Sequence, residues 1–84
     1  MEMSVLEELR RIARKDLEFE GAIEPALRLK EDLNLDSMAM IVVAVGLENR
    51  FRVKLAEEDA GELTTVADLI ALVSRRVQEQ GGVA

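Results

Sequence analysis

The run Asp36-Ser37-Met38-Ala39-Met40-Ile41-Val42-Val43-Ala44-Val45-Gly46-Leu47-Glu48-Asn49-Arg50-Phe51 decides the fold. From Met38 to Leu47 every residue is apolar or glycine, a pattern that suits a buried strand or a buried helix. The β-branched residues Ile41, Val42 and Val43 favour the strand. The length from Asp36 to Arg50 is long for a strand, a capping residue precedes the run, and Val43, Leu47 and Phe51 recur at a spacing of four. The reading is therefore a helix that starts at Asp36-Ser37, with Asp36 as its cap and Ser37 in the first turn. Gly46 costs about 1 kcal/mol relative to Ala inside a helix, which is consistent with a close approach of another backbone there.

Before this run, Ser4-Val5-Leu6-Glu7 fits a capping box. Val5, Leu6, Leu9, Ile12, Ala13 and Leu17 then recur at helical spacing, which predicts a first helix over roughly 5–17. Arg10, Arg11, Arg14 and Lys15 fall late in it, as the helix dipole prefers. Residues 18–35 have no clean period, and Gly21 and Pro25 break any long helix. Phe19, Ile23, Leu27, Leu29, Leu33 and Leu35 pin this long loop to the core. Loops of this length are more often functional than passive.

After the run, Val53 and Leu55 anchor a mixed segment. Glu57-Glu58-Asp59-Ala60 reads as one short helical turn ended by Gly61. Thr65 caps a last helix with Asp68 at the capping-box position. Val66, Leu69, Ile70, Val73 and Val77 form its apolar face, and Gly81-Gly82 lies beyond its end. The expectation is an all-α chain: a small four-helix bundle with three main helices, a short third helix and a long first loop. It reads as one domain over 1–84, with its core at about 4–78 and a frayed C-terminal tail.

Composition narrows the chemistry. The 84 residues are 49% hydrophobic, with Phe19 and Phe51 as the sole aromatics. There is no Cys and no His. Thiolate metal sites, disulfides and His-based catalytic triads are excluded. The net charge of −6 disfavours a phosphate backbone as partner, so no nucleic acid is expected. No apolar stretch is long enough to span a membrane. The start lacks a basic region and an apolar signal core, so a cytoplasmic monomer is the expectation. No paired carboxylates, glycine-rich phosphate loop or metal-ligand set supports an enzyme.

Two features stand out. If Val43, Leu47 and Phe51 face inward, then Met38, Ile41, Val42 and Val45 cannot all face the same core at about 100° per residue. Either the long loop and a neighbouring helix cover them, or they form an exposed strip of the kind that marks a partner surface. Ser37, at the helix start, reads first as a capping or first-turn residue. A phosphate ester on its hydroxyl would also suit the unpaired N–H groups and the positive end of the helix dipole. Asp36 then serves as a cap, or as a ligand for a cation carried by a modifying enzyme.

Asp32-Leu33-Asn34-Leu35-Asp36-Ser37-Met38 resembles the attachment motif of acyl carrier proteins, which reads acid-Leu-Gly-hydrophobic or small residue-Asp-Ser-Leu. Leu47-Glu48-Asn49-Arg50-Phe51 resembles the end of their second helix. Glu57-Glu58-Asp59-Ala60 followed by Leu63-Thr64-Thr65-Val66-Ala67-Asp68-Leu69 resembles their short third helix and the opening of the fourth. The likeness covers about residues 4–78 and is that of a specialised, freestanding member. It implies that Ser37 carries 4'-phosphopantetheine, installed from coenzyme A by a phosphopantetheinyl transferase, with Asp36 as part of the motif. The arm's thiol would hold an acyl or polyketide intermediate as a thioester. The protein would present that intermediate to enzymes of lipid or secondary-metabolite biosynthesis: an acyl-loading enzyme or synthetase, and a ketosynthase or acyltransferase. A peptidyl or aminoacyl carrier, or an unmodified adaptor of the same fold, are the alternatives.

The departures carry information. Asn34 stands where Gly is usual, and Met38 where Leu is usual; Asn tolerates unusual backbone angles and Met is an adaptable apolar residue. Carriers of fatty-acid synthesis usually show several carboxylates along the second helix. Here Ala39, Val42, Asn49 and Arg50 occupy such positions, leaving Glu48. Partners are therefore expected to read Met38, Ile41, Val42 and Val45, with Glu48, Glu57 and Glu58 as steering charges. This points to a dedicated carrier in a secondary pathway. Leu63 and Ala60 are expected where an acyl chain would pass between the second and third helices, and any interior cavity is expected to be small.

Overall fold

Helix formation begins earlier than the Ser4-Glu7 signal predicts. The computed structural model describes residues 2–56, 59 and 62–81, and α1 already spans Glu2–Asp16. Ser4 therefore lies inside the helix and is not its cap. The physical reason is local: Glu2 and Met3 are good helix formers, and no Gly or Pro separates them from Ser4. At the other end Asp16 closes α1, with Arg14 and Lys15 in the last turn near the negative end of the dipole.

The second helix, α2, spans Ser37–Phe51 and α3 spans Val66–Gln80. Asp36 caps α2 as expected: its side chain accepts a hydrogen bond from the Ala39 N–H at 2.8 Å. Arg52 ends the helix in the left-handed region, its N–H bonded to the Glu48 carbonyl. The Thr65–Asp68 capping box of α3 is complete. The Asp68 carboxylate accepts from both Thr64 N–H and Thr65 N–H, each at 3.1 Å. These contacts, the Thr65 N–H first, hold the Asp68 carboxyl below its ordinary range. Gly81 closes α3 at φ 70°, a geometry that glycine adopts at little cost.

The described residues thus form an all-α fold with three helices. The expected short turn at Glu57-Ala60, and Gly61 after it, lie mostly outside the described residues. In the core, Val5, Leu9 and Ile12 of α1 meet Val43, Leu47 and Phe51 of α2 and Val66, Leu69, Val73 and Val77 of α3. The helix α1 packs against both α2 and α3, whereas α2 and α3 touch each other little. Gly46 permits the α1–α2 approach: a Cβ there would stand 2.6 Å from Ile12 Cδ1.

The first loop is held by backbone as well as side chains. Ile23, Leu29, Leu33 and Leu35 are buried, and Phe19 and Leu27 pack partly against the core. The Leu27 and Pro25 carbonyls accept from the N–H groups of Val66 and Ala67, both at 2.9 Å. Those two donors belong to the first turn of α3 and have no partner within the helix. Arg10 donates to the Ile23 carbonyl through Nε at 3.1 Å and Nη2 at 2.8 Å. Glu8 is buried on α1, paired to Arg11 and within 3.9 Å of Arg50 on α2. No described helix is long and apolar enough to cross a membrane.

Candidate functional site

The site grows from the turn that leads into α2. Asn34 sits at φ 59°, a left-handed angle that costs most residues and that Asn tolerates. That turn buries Leu33 and Leu35 on either side of it and delivers Asp36 to the helix start. Because Asp36 provides the side-chain cap, the hydroxyl of Ser37 is not needed for it. Ser37 is exposed and is the first residue of α2.

From Ser37 a cleft of about 930 Å³ runs between α2, the segment after it, and α3. Among the described residues its polar lining is Lys30, Asp36, Ser37 and Glu48. The rest is apolar: Leu35, Met40, Ile41, Val43, Ala44 and Val45 on one side, Leu55, Ala56, Leu63, Leu69 and Leu72 on the other. The space is an open cleft rather than an interior cavity, and it lies between helices that share few contacts with each other.

The segment that forms the outer wall is tied down by side chains. The Glu48 carboxylate accepts from the Leu55 N–H at 2.7 Å. Gln80 at the end of α3 bonds both backbone groups of Lys54, accepting from its N–H at 2.8 Å and donating to its carbonyl at 3.0 Å. Asp59 pairs with Arg76 of α3 at 2.9 Å. The Arg76 guanidinium, ahead of the Ala56 N–H, holds the Asp59 carboxyl below its ordinary range.

On the outer face of α2 the sequence expectation and the structure agree. Met38 is 70%, Ile41 55%, Val45 47% and Val42 37% exposed. The inner residues Val43, Leu47 and Phe51 are fully buried. Two members of the exposed strip, Ile41 and Val45, also line the cleft. Among the described residues no group of His, Cys, Asp or Glu could hold a metal ion.

Comparison with known proteins decides the family. The chain matches the phosphopantetheine attachment site family over residues 7–73, a span that contains Ser37 and every described residue that lines the cleft. It belongs to the acyl carrier, or phosphopantetheine-binding, family. It is 35% identical over 57 residues to a meromycolate extension acyl carrier protein of Mycobacterium bovis, an alignment covering 68% of this chain and 50% of that one. The chain thus spans about half the length of the curated relatives that it matches first. Among solved structures it is similar in fold to an acyl carrier protein from Thermotoga maritima, with TM-score 0.84, 21% identity, and coverage of 94% of this chain and 93% of that one. A candidate acyl carrier protein from Mycobacterium tuberculosis superposes with TM-score 0.72 at 27% identity, covering 88% of this chain and 95% of that one. Proteins of this family are non-catalytic carriers.

For an acyl carrier family member, the residues at hand fit the prosthetic group. An exposed serine hydroxyl opens the helix, and an apolar cleft begins beside it. Of the other expected site residues, Met38, Ile41, Val42 and Val45 share one exposed face with Ser37. Glu48 is half-buried and engaged with Leu55, so it shapes the cleft wall. Leu63 lines the cleft, while Ala60, Glu57 and Glu58 lie outside the described residues. The sequence reading missed Lys30, Leu55, Leu69 and Leu72 as lining residues. The apolar spacing of the last helix showed that Leu69 is buried, but not that it borders a space.

Proposed function

We propose that Ser37 is the attachment point of a 4'-phosphopantetheine arm, with Asp36 as the capping residue of the motif, and that the protein carries acyl or polyketide intermediates. When bound, the arm supplies a terminal thiol that holds cargo as a thioester. The observation that carries this reading is the exposed Ser37 at the start of α2, beside an apolar cleft. The lining by Met40, Ile41, Ala44, Leu55, Leu63 and Leu72 favours an apolar acyl cargo over a polar aminoacyl one. Relatives named for meromycolate extension support the same choice.

The chain's own residues do three things in this scheme. Asp36 fixes the first turn of α2, so that the Ser37 hydroxyl is presented to a phosphopantetheinyl transferase. The cleft shields an apolar chain from water. The strip of Met38, Ile41, Val42 and Val45 meets an acyl-loading enzyme or synthetase and a ketosynthase or acyltransferase, with Glu48, Glu57 and Glu58 as accessory charges. The proposal includes a carrier domain that is monomeric and cytoplasmic. Its setting is lipid or secondary-metabolite biosynthesis.

The test is the intact mass after incubation with coenzyme A and a broad-specificity phosphopantetheinyl transferase, with Ser37→Ala alongside. The expected result is a gain of one phosphopantetheine group, absent from Ser37→Ala. A chain that stays unmodified with several such transferases would instead be an adaptor of the same fold.

A further inference from the structure

We infer that Lys30 is a positioning residue for the phosphodiester that Ser37 would bear; this rests on the attachment proposed above. The turn from Leu29 to Leu35 is closed by a hydrogen bond from the Leu35 N–H to the Leu29 carbonyl at 3.1 Å. The residues that follow each end, Lys30 and Asp36, therefore leave the same point of the fold. Both line the cleft together with Ser37, and all three are exposed.

Among the described residues, Lys30 is the cation that lines that corner. Its neighbours Glu31 and Asp32 are both taken by Arg28, at 2.5 Å and 3.7 Å. The Asp32 carboxylate also accepts from the Arg28 N–H at 2.7 Å. Arg28 itself pairs with those two acids and is not among the residues that line the cleft. The first turn of α2 contains no acidic residue. Among the described residues, the lining beside Ser37 contributes the carboxylate of Asp36 and the ammonium of Lys30.

A phosphodiester on Ser37 adds a negative charge beside the Asp36 carboxylate, and that repulsion must be offset. The ammonium of Lys30 is a flexible point charge with three donors, suited to a phosphate oxygen whose place is set by another residue. Its role is to hold the root of the arm at the cleft end, so that the arm starts toward the apolar lining.

The experiment uses the full chain, before and after modification with coenzyme A and a transferase, with intact mass checked on each sample. Lys30 is followed by the NMR resonance of its side-chain Cε, with Lys54 as control. On modification the Lys30 resonance moves, as expected when an exposed ammonium gains an anionic partner. The movement shrinks at high salt, and Lys54 does not move. The phosphorus resonance of the modified protein shifts in Lys30→Gln and returns toward the native position in Lys30→Arg. Complete modification with an unmoved Lys30 overturns this inference alone. No mass gain overturns the attachment at Ser37 and this inference with it.

Discussion

The helices α2 and α3 have the same length and solve opposite problems. Each has 15 residues and a side-chain cap at its N-terminus. In α3 the apolar residues Val66, Leu69, Ile70, Val73 and Val77 are all buried, and the charged residues face away from the core. That division is the usual one for a surface helix. In α2 Val43, Leu47 and Phe51 are buried, yet the outer face is apolar as well and stays exposed. Stability explains α3 in full and only half of α2. The uncovered half leaves Met38, Ile41, Val42 and Val45 exposed, and under the proposed function that strip is the surface a partner reads.

The comparison can be broken most directly at the inner face. Phe51→Ala should lower stability by about 3–5 kcal/mol, read as a lower urea midpoint, because Phe51 is fully buried. A loss similar to that of a surface change would mean that the inner face of α2 is not the core. The start of α3 offers the next effect. Thr65→Ala removes the capping box and should cost about 1–2 kcal/mol. Asp68 adds a pH signature. Its folded-state pKa is depressed by the Thr65 and Thr64 N–H groups. Its ionised form therefore contributes stability above the unfolded value of about 3.9, and that contribution is lost as pH falls through the folded pKa. The gap in urea midpoint between the native chain and Asp68→Asn should be full near neutral pH and close on acidification below about 4.

A smaller effect sharpens the inner side of α2. Gly46→Ala gains helix propensity but drives a methyl group into Ile12, and should cost about 1 kcal/mol net. Ile12→Val, which removes the nearest atom, should be harmful alone and nearly free in the Gly46→Ala background. Additive losses in that double-mutant cycle would place the strain elsewhere. The smallest stability change belongs to the outer face. Val42→Glu should move the urea midpoint by less than about 0.5 kcal/mol equivalent while weakening the complex with the cognate loading enzyme. Unfolding of that variant would show Val42 to be core.

Much of this was legible in the chain. The spacing of Val43, Leu47 and Phe51 gives the inner register of α2, and what remains on that helix has to face outward. Thr65 and Asp68 announce α3 because a capping box is a local device, complete within four residues. Locality also misled: Ser4-Glu7 has the form of a capping box, but nothing upstream stops the helix, and α1 runs through it to Glu2. The contacts that the sequence could not reveal join distant residues. Nothing near Gln80 says that its amide will pair with the backbone of Lys54, nor near Glu48 that it will hold Leu55. The cleft escaped for the same reason: its lining residues are ordinary apolar ones until the fold sets two rows of them face to face. Asn34 was the more telling residue of the site, because its φ of 59° is the conformation that a glycine in the family's motif would supply freely.

The packing of α1 against both of its neighbours, while those two touch each other little, gives the molecule the build of a bound book. The first helix is the spine, with Gly46 against Ile12 as the stitching of one cover. The other two helices are the covers, and whatever lies in the cleft takes the place of the pages. The covers are also clasped away from the spine, where Gln80 and Arg76 of the third helix hold Lys54 and Asp59 of the segment that follows the second. The book is therefore fastened at two edges, and its open margin is the end beside Ser37.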